Sequence, residues 1–380
     1  MIEFDIRPSS HPLPDAERDE LLRAPAFGQL FTDHMITLRW SAERGWHDGR
    51  LEPYGPFTLD PATSVFHYSQ EFFEGLKAYR QVNGSITMFR PDANATRFNA
   101  SARRMAMPEL PEETFIRALE LLVTQDREWV PAGEGKSLYL RPFMIATQRG
   151  LGVNSPSNEY LFCVIASPAG PYFPSGVKPV TVWLSEDYTR AAPGGTGGVK
   201  TGGNYAAAFV AQQQAVDRGC DQVVWLDAAE HRWVEEMGGM NLFFVFGGGD
   251  GRDGGDGGRD GRRDGDQPVI MTPPLTGTLL PGITRDSLLK LAPELGVKVV
   301  EDTISTDQWQ AQCASGELTE VFACGTAAVI TPVGRVKGRS AEWTVADGGA
   351  GPVTMRLREQ LIGLQYGHNP DPFNWVHKVC

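Results

Sequence analysis

Residues 167–176 read Ser-Pro-Ala-Gly-Pro-Tyr-Phe-Pro-Ser-Gly, with three prolines and two glycines in ten positions. Proline fixes φ and lacks a backbone N–H, and glycine weakens both helices and strands, so this stretch is expected to continue neither kind of element. A chain of 380 residues also exceeds what one hydrophobic core usually holds. The sequence therefore predicts two domains, residues 1–167 and 177–380, joined by a linker at residues 168–176.

The charge balance argues against a nucleic-acid-binding protein. Hydrophobic residues make up 41% of the chain and charged residues 22%, which is typical of a globular protein. The net charge is −12, so no broad basic surface is expected that could neutralise phosphates.

The compartment is predicted from what the sequence lacks. No apolar run approaches the length of a membrane span, and the N-terminus has no basic start followed by an apolar stretch. The five cysteines are scattered and form no Cys-x-x-Cys pair, so neither a zinc site nor a disulfide framework is indicated. We expect free thiols in a cytoplasmic protein without a metal.

Apolar periodicity predicts alternating helices and strands on both sides of the linker. Helices are predicted at residues 92–105, 115–130 and 205–218, and another follows the turn at residues 280–284, with Thr284 as a plausible N-cap. Strands are predicted at residues 85–89, 160–166, 180–184, 223–226, 241–246, 269–271, 297–301 and 320–323.

Residues 247–267 consist almost wholly of glycine, aspartate and arginine. Asp-Gly repeats occur in calcium-binding β-rolls, but those repeats need a regularly placed apolar residue to build a core, and none occurs here. The composition instead favours a disordered insertion within a hairpin.

The stretch Gly197-Gly-Val-Lys-Thr-Gly-Gly-Asn-Tyr205 holds one lysine in a glycine-rich loop before a predicted helix. Glycines let a backbone approach a bound group closely, although a tight turn with a solvent-facing lysine has the same composition. A nucleotide phosphate loop is a further alternative, but its Gly-x-x-x-x-Gly-Lys-Ser/Thr spacing is absent. Two other places, the helix start near Thr284 and the turn at Gly325-Thr-Ala, are typical of phosphate sites.

Seven motifs in order carry a resemblance to a known family. They are Phe72-Phe-Glu-Gly-Leu-Lys-Ala-Tyr79, Phe89-Arg-Pro-Asp92, Ser137-Leu-Tyr-Leu-Arg-Pro142, Lys200-Thr-Gly-Gly-Asn-Tyr205, Glu236-Met-Gly-Gly-Met-Asn241, Leu280-Pro-Gly-Ile-Thr-Arg285 and Gly325-Thr-Ala327. Through them the chain resembles the branched-chain aminotransferases, which are fold-type-IV pyridoxal-phosphate enzymes. The resemblance implies a mixed α/β and α+β fold like that of D-amino-acid aminotransferase. It has a smaller α/β domain, a larger domain with a pseudo-barrel, and the cofactor between them.

The resemblance also implies a set of cofactor-binding residues. Lys200 is similar to the lysine that forms the Schiff base with pyridoxal 5′-phosphate and then moves the α-proton. Glu236 resembles the carboxylate that faces the pyridine nitrogen, and Tyr205 the donor to the ring oxygen. The phosphate would be held by Arg97, by the backbone amides of Ile283 and Thr284, and by Thr326.

The substrate pocket and the assembly follow from the same resemblance. Arg141 is similar to the residue that meets the second carboxylate of 2-oxoglutarate, and Tyr68 and the loop at Gly152-Val153 resemble segments that cross to a partner subunit. A homodimer is therefore implied. The other implied pocket residues are Phe27, Phe73, Tyr139, Thr326 and Ala327.

The predicted function is the reversible transfer of an amino group between leucine, isoleucine or valine and 2-oxoglutarate. One alternative is another enzyme of this fold, a D-amino-acid aminotransferase or an aminodeoxychorismate lyase. Another is a non-catalytic pyridoxal-phosphate-binding scaffold protein. That alternative would be expected to lose Lys200, Glu236 or Arg97, all of which are present.

Overall fold

A computed structural model describes residues 2–173, 175–247 and 267–380. The predicted insertion at residues 247–267 therefore falls outside the described residues, except for the glycine and the glutamine at its two ends. The chain divides into two compact units, hereafter the first unit (Met1–Pro174, Val199–Gly203 and Gly363–Cys380) and the second unit (Ser175–Gly198 and Asn204–Ile362).

The elements follow one another along the chain in this order. The first group comprises β1 (Phe4–Ile6), α1 (Asp15–Leu21), β2 (His34–Ser41), β3 (Gly45–Pro53), α2 (Ser64–Tyr68), β4 (Glu71–Phe73), β5 (Leu76–Arg80), β6 (Ile86–Phe89), α3 (Pro91–Arg104), α4 (Glu112–Gln125), a 3₁₀ turn (Arg127–Trp129), β7 (Ser137–Ala146) and β8 (Glu159–Ala169). The second group comprises β9 (Val180–Ser185), α5 (Gly202–Ala206), α6 (Phe209–Asp217), β10 (Gln222–Leu226), β11 (Val234–Met237), β12 (Met240–Phe246), β13 (Val269–Thr272), α7 (Ile283–Glu294), β14 (Lys298–Glu301), α8 (Thr306–Ser315), β15 (Leu318–Gly325), β16 (Val329–Lys337), β17 (Glu342–Thr344), α9 (Pro352–Gln365) and β18 (Val376–Lys378).

Three elements differ from those predicted by the apolar periodicity, each because of a local contact. β8 continues to Ala169, into the proline-rich stretch. Pro168 is paired with β7 on one side, and on the other side the pairing with β2 has already ended, so the missing N–H of proline is tolerated there. The second predicted helix ends at Gln125, because the carboxylate of Asp126 accepts from the amide and ring of His34. The helix predicted at residues 205–218 is split in two, because the amide of Ala208 bonds three residues back to Tyr205.

The first unit is built on one sheet, in the strand order β1-β3-β2-β8-β7-β5-β6-β18, with β4 added beside β7. Its core is aromatic: the Phe98 ring of α3 lies 4.6 Å from Phe72 of β4, 5.1 Å from Phe115 of α4 and 5.5 Å from Phe162 of β8. All four rings are fully buried, and burial of each contributes roughly 1.5–3 kcal/mol. These contacts fix β4 in place.

The alternation of β4 and β7 places several polar and aromatic side chains on the sheet face opposite this core. Phe72 points into the core, so its neighbours Glu71 and Phe73 point to the other face. Phe73 pairs directly with Phe143 of β7, so it shares a face with the alternate β7 residues Arg141 and Tyr139. A period of two thus gathers these side chains on one surface.

The second unit contains a closed barrel. Its sheet has the order β11-β10-β9-β16-β15-β12-β13-β14, and β11 also pairs with β12, which closes six of the described strands into a ring. Strands β9 and β10 are covered on both faces. Val182 and Val224 belong to the barrel cluster that includes Trp309 of α8, whereas Trp183 and Trp225 pack with the alanines of α6. The predicted barrel-like sheet is confirmed.

Two further observations bear on the expected class of protein. In the part of the chain that the structure describes, no helix combines the length and the apolar character needed to cross a membrane. All five cysteines are free thiols, as expected.

Candidate active site

The segment that carries Lys200 is fixed to strand β4 within the first unit. Its neighbour Val199 is buried in the aromatic core, and the amide of Phe73 donates to the carbonyl of Lys200 at 2.9 Å. The carboxylate of Glu71 accepts from the hydroxyl of Thr201 at 3.1 Å and from the amide of Gly202. The backbone on both sides of the lysine is therefore held, while its side chain remains half-buried.

Five of the predicted site residues form one cluster, which we call the aromatic–cation cluster. The Nζ of Lys200 lies 5.3 Å from the centre of the Phe73 ring. The Arg141 guanidinium lies 4.5 Å from the same ring and 5.4 Å from that of Tyr139. The Phe27 ring meets Tyr139 edge-on at 4.9 Å. Two cations thus stand against aromatic walls, an arrangement in which ring quadrupoles attract positive charge.

Arg141 has hydrogen-bonding capacity to spare. One Nη lies 3.4 Å from the hydroxyl of Tyr139, which is a long bond. Its Nε is buried and has no hydrogen-bond partner among the residues that the structure describes. A buried donor left unpaired is costly, so this nitrogen favours an acceptor supplied by a ligand.

Arg97, the predicted phosphate ligand, lies in a tight ion pair inside the first unit. Its Nε donates to one oxygen of Glu74 and an Nη to the other, both at 2.7 Å. The same carboxylate accepts from the Asn94 side chain at 2.7 Å and from the Gly75 amide at 3.1 Å. Arg97 and Glu74 are both buried. One edge of the guanidinium is therefore already used within the protein.

Tyr68 and Val153 lie together on another, exposed part of the first unit. The Tyr68 hydroxyl donates to the carbonyl of Leu151 at 2.6 Å, and both Tyr68 and Val153 line a cavity of about 530 Å³. Leu151 is 64% exposed and Val153 is 70% exposed. These apolar side chains are presented to the outside of the unit.

Glu236 lies in the second unit, on barrel strand β11. It is buried, it accepts from the amide of Leu280, and its Oε2 lies 3.4 Å from the Nε of Arg190. The Arg190 guanidinium also donates to the carbonyl of Thr278 at 2.9 Å, which holds it in place. A carboxylate and a guanidinium are thus placed side by side in a buried site.

The start of α7 is fixed by strands β11 and β12, which carry Glu236 and Asn241. Asn241, the cross-strand partner of Glu236, donates from its side chain to the carbonyl of Leu280 at 3.0 Å. A Cβ at position 282 would lie 2.1 Å from the Oδ1 of Asn241, so a side chain there would displace Asn241. Gly282, and not Thr284, is the N-cap, because the chain enters the helix two residues earlier than expected. Ile283 and Thr284 are the first two helical residues, whose amides have no acceptor within a helix.

The remaining predicted residues also lie in the second unit. Tyr205 is half-buried and lines a cavity of about 160 Å³ together with Arg190 and Gly239. Thr326 and Ala327 form the turn between β15 and β16, where Gly325 pairs with Val329. Both turn residues are half-buried.

Four polar residues that hold predicted site residues within one unit or the other were not found from the sequence. Glu74 and Asn241 lie inside recognised motifs, so their positions were available, but their partners are distant along the chain. Arg190 is a lone arginine in a loop, a pattern that gives no signal. Glu71 comes before two phenylalanines in the sequence and has the appearance of an ordinary surface glutamate.

Comparison with known proteins defines the class. The family model described as amino-transferase class IV matches residues 71–336, and the chain is a class IV aminotransferase. A probable branched-chain-amino-acid aminotransferase from Streptomyces coelicolor is 57% identical over 99% of this chain and 99% of its own length. The branched-chain-amino-acid aminotransferase from Mycolicibacterium smegmatis is 55% identical over 100% of this chain and 98% of its own. The chain therefore belongs to the branched-chain-amino-acid aminotransferase family.

Solved structures agree in fold. The branched-chain amino acid aminotransferase of Escherichia coli superposes with a TM-score of 0.72, is 27% identical, and covers 92% of this chain and 99% of its own. A T.th. branched-chain amino acid aminotransferase with pyridoxamine 5′-phosphate gives a TM-score of 0.71 at 29% identity, over 90% of this chain and 98% of its own. The predicted fold is thereby confirmed.

Proposed function

We propose that this aminotransferase exchanges an amino group between leucine, isoleucine or valine and 2-oxoglutarate, with pyridoxal 5′-phosphate attached to Lys200. The observation that carries the substrate assignment is the aromatic–cation cluster, where apolar ring walls stand beside Arg141 and its unpartnered Nε. The walls suit a branched aliphatic side chain, since each buried methylene contributes roughly 0.8 kcal/mol. The guanidinium suits the second carboxylate of 2-oxoglutarate.

The donor set of the described residues fits the cofactor. A lysine beside an aromatic ring, a buried carboxylate, and a helix start whose first amides are not used within the helix match an aldehyde, a pyridine nitrogen and a phosphate respectively. When bound, pyridoxal phosphate supplies the carbonyl that takes up the amino group and the ring that draws electrons from the reacting carbon.

Each of the proposed site residues moves or holds a proton or binds an anion. Nζ of Lys200 removes and returns the proton at the substrate α-carbon. Glu236 holds a proton on the pyridine nitrogen, and Tyr205 donates to the ring oxygen. The amides of Ile283 and Thr284 and the hydroxyl of Thr326 bind the phosphate. Arg97 joins them through the part of its guanidinium that Glu74 does not cover, or by exchanging that partner.

The chain also fits a homodimer in which Tyr68 and Val153 reach the partner's site. Tyr68 is 42% exposed and Phe66, on the same short helix, is 60% exposed, and apolar groups exposed in this way mark interaction surfaces. Ala327 is proposed to contact substrate from the β15–β16 turn. The free thiols support a cytoplasmic location, which stays a proposal.

The substrate assignment is tested by Arg141→Ala. Because a charge-assisted hydrogen bond contributes about 1.5–3 kcal/mol, kcat/KM for 2-oxoglutarate should fall at least about tenfold. The half-reaction with leucine should change much less, because leucine has no second carboxylate. Rapid mixing, with the visible band of the enzyme followed separately for each substrate, measures both values.

The matched control is Arg103→Ala, which removes an exposed arginine paired with Glu109. It should leave both half-reactions unchanged. Equal losses for leucine and 2-oxoglutarate in Arg141→Ala would place Arg141 on the α-carboxylate or in the framework, and the proposed dual specificity would be withdrawn.

A further inference from the structure

We propose that Glu71 is a positioning residue for Lys200: by accepting hydrogen bonds from the two residues that follow the lysine, its carboxylate fixes the backbone that presents the amine. This inference rests on the proposed role of Lys200. It assigns Glu71 no contact with substrate or cofactor.

The geometry of the contact is a three-point attachment of one chain segment to one strand. Strand β4 receives Lys200 through the Phe73 amide, which donates to the Lys200 carbonyl at 2.9 Å. Glu71, two residues earlier on the same strand, accepts from the Thr201 hydroxyl at 3.1 Å and from the Gly202 amide. Three consecutive residues are therefore held by a strand that the aromatic core immobilises.

Gly202, two residues after the lysine, gives the carboxylate of Glu71 close access to the backbone. A Cβ at Gly202 would lie 2.8 Å from the Oε1 of Glu71, which is closer than carbon and oxygen approach without a shift. The absence of a side chain lets the carboxylate reach the amide directly. The absence of a Cβ at position 202 thus leaves room for the carboxylate of Glu71 beside the amide.

A carboxylate at this place has an electrostatic cost that is partly offset. Burial raises the pKa of Glu71, while the Gly202 amide, the Thr201 hydroxyl and the charge of Arg141 act in the opposite direction. Hydrogen bonds to an ionised acceptor are about twice as strong as neutral ones. The charge therefore gives a firmer hold on the lysine segment than a neutral side chain would give.

Alternation along β4 explains why the lysine side chain benefits. Glu71 and Phe73 point to the same face of the strand, and the Phe73 ring lies 5.3 Å from the Lys200 Nζ. The residue that holds the backbone and the residue that borders the amine thus share one rigid support. A small displacement of a reacting group lowers rates strongly, so the loss of this support should appear in turnover.

The experiment compares Glu71→Ala, Glu71→Gln and Glu52→Ala. Glutamine keeps an acceptor oxygen and tests rescue. Glu52 is the matched control, because its carboxylate accepts from the Thr37 hydroxyl at 2.5 Å elsewhere in the first unit. Three readouts are taken on the cofactor-loaded protein: amide hydrogen exchange of a peptide spanning residues 199–203, the pH midpoint of the visible band, and kcat and KM for each substrate.

In Glu71→Ala, exchange at the Gly202 amide should rise and kcat should fall, each about tenfold, the scale of one charge-assisted hydrogen bond. The loss in kcat should be equal for leucine and 2-oxoglutarate, with KM nearly unchanged, unlike the selective loss expected for Arg141→Ala. The pH midpoint of the visible band should shift. Glu71→Gln, which keeps an acceptor oxygen but loses the charge, should restore about half of each change on a logarithmic scale, and Glu52→Ala should show none.

Unchanged exchange and an unchanged band midpoint in Glu71→Ala would overturn the inference. If that variant does not fold, Thr201→Val removes one of the two donors and should give the same changes at smaller size; no change there would also overturn it. Borohydride reduction followed by mass spectrometry locates the cofactor. Attachment to another lysine would refute the proposed function. Attachment to Lys200 with no effect of Glu71 would refute this inference alone.

Discussion

Two buried arginine–carboxylate pairs, one in each unit, differ in how tightly their atoms meet. In the first unit Arg97 and Glu74 make two contacts of 2.7 Å, and Asn94 and Gly75 complete the coordination of the carboxylate. In the second unit the Nε of Arg190 stands 3.4 Å from Glu236, beyond the usual length of an N–H···O bond.

The difference in contact distance indicates different roles for the two pairs. A buried ion pair with good geometry is costly to break, because the loss of one partner leaves the other charge buried and uncompensated. A buried carboxylate with a looser contact is better placed to change partner, as a group that faces a cofactor must. The contact between Arg97 and Glu74 therefore has the geometry of a structural support, and that between Arg190 and Glu236 suits the cofactor-facing role proposed for Glu236.

Glu236→Ala is expected to have the largest effect. If Glu236 keeps the pyridine nitrogen protonated, as proposed, its removal should lower kcat about a thousandfold, within the range of losses of positioned proton-handling groups. Steady-state assays with leucine and 2-oxoglutarate measure the loss. The control is Glu235→Ala on the same strand, whose carboxylate accepts from Thr278 at 2.6 Å; it should cost less than about tenfold. Similar losses in both variants would assign the effect to the strand and not to the carboxylate of Glu236, and the functional role proposed for the second pair would be withdrawn.

Arg97→Ala should have the next largest effect, on stability. Removing one partner of a buried pair leaves an uncompensated charge, so the free energy of unfolding should drop by about 3 kcal/mol. Urea denaturation of the cofactor-free protein measures this. The double variant Arg97→Met, Glu74→Gln should recover most of the stability.

The same double variant sharpens the assignment of Arg97. If this arginine also binds the phosphate, the variant should bind pyridoxal phosphate about tenfold more weakly, the scale of one charge-assisted bond. Unchanged affinity together with recovered stability would make Arg97 purely structural.

Replacement of residues 248–266 by a short turn should have the smallest effect. The strand ends that flank them are already paired, with Phe246 opposite Val269, and closure entropy changes by only about 0.6 kcal/mol for each doubling of loop length. Thermal unfolding and kcat should both remain close to those of the full chain. Because β12 also carries Asn241, a large loss of activity would show that the site around Glu236 depends on the far end of this strand.

The parts of the fold predicted from the sequence are those that depend on local pattern. Helix α3 was predicted to within one residue, because its apolar face and its start at Pro91 are both readable locally. The split between α5 and α6 was not, since it depends on a single turn at Ala208. Pro168 was placed in a linker because the pattern does not show which strand edge is unpaired.

The candidate site divides in the same way. Tyr139 and Arg141 share a face of β7 by strand alternation, but they were predicted from the resemblance, and no strand was predicted at that place. Arg190 and Glu71 act through partners more than 40 and 130 positions away along the chain, and one sequence carries no signal of such pairings. The roles of Lys200, Tyr205 and Arg97 remain predictions.

The first unit is assembled from three separate stretches of chain, so its sheet can be completed only late in synthesis. Strand β18 bonds to β6, so Val376 meets Phe89 across most of the polypeptide. During synthesis, β6 cannot pair with β18 until residues 376–378 have been made. The segment that carries Lys200 likewise joins the first unit only after residue 200 has been made. Contacts of such long sequence separation form slowly. Until then β6 has an unpaired edge, and unpaired strand edges tend to pair with other chains.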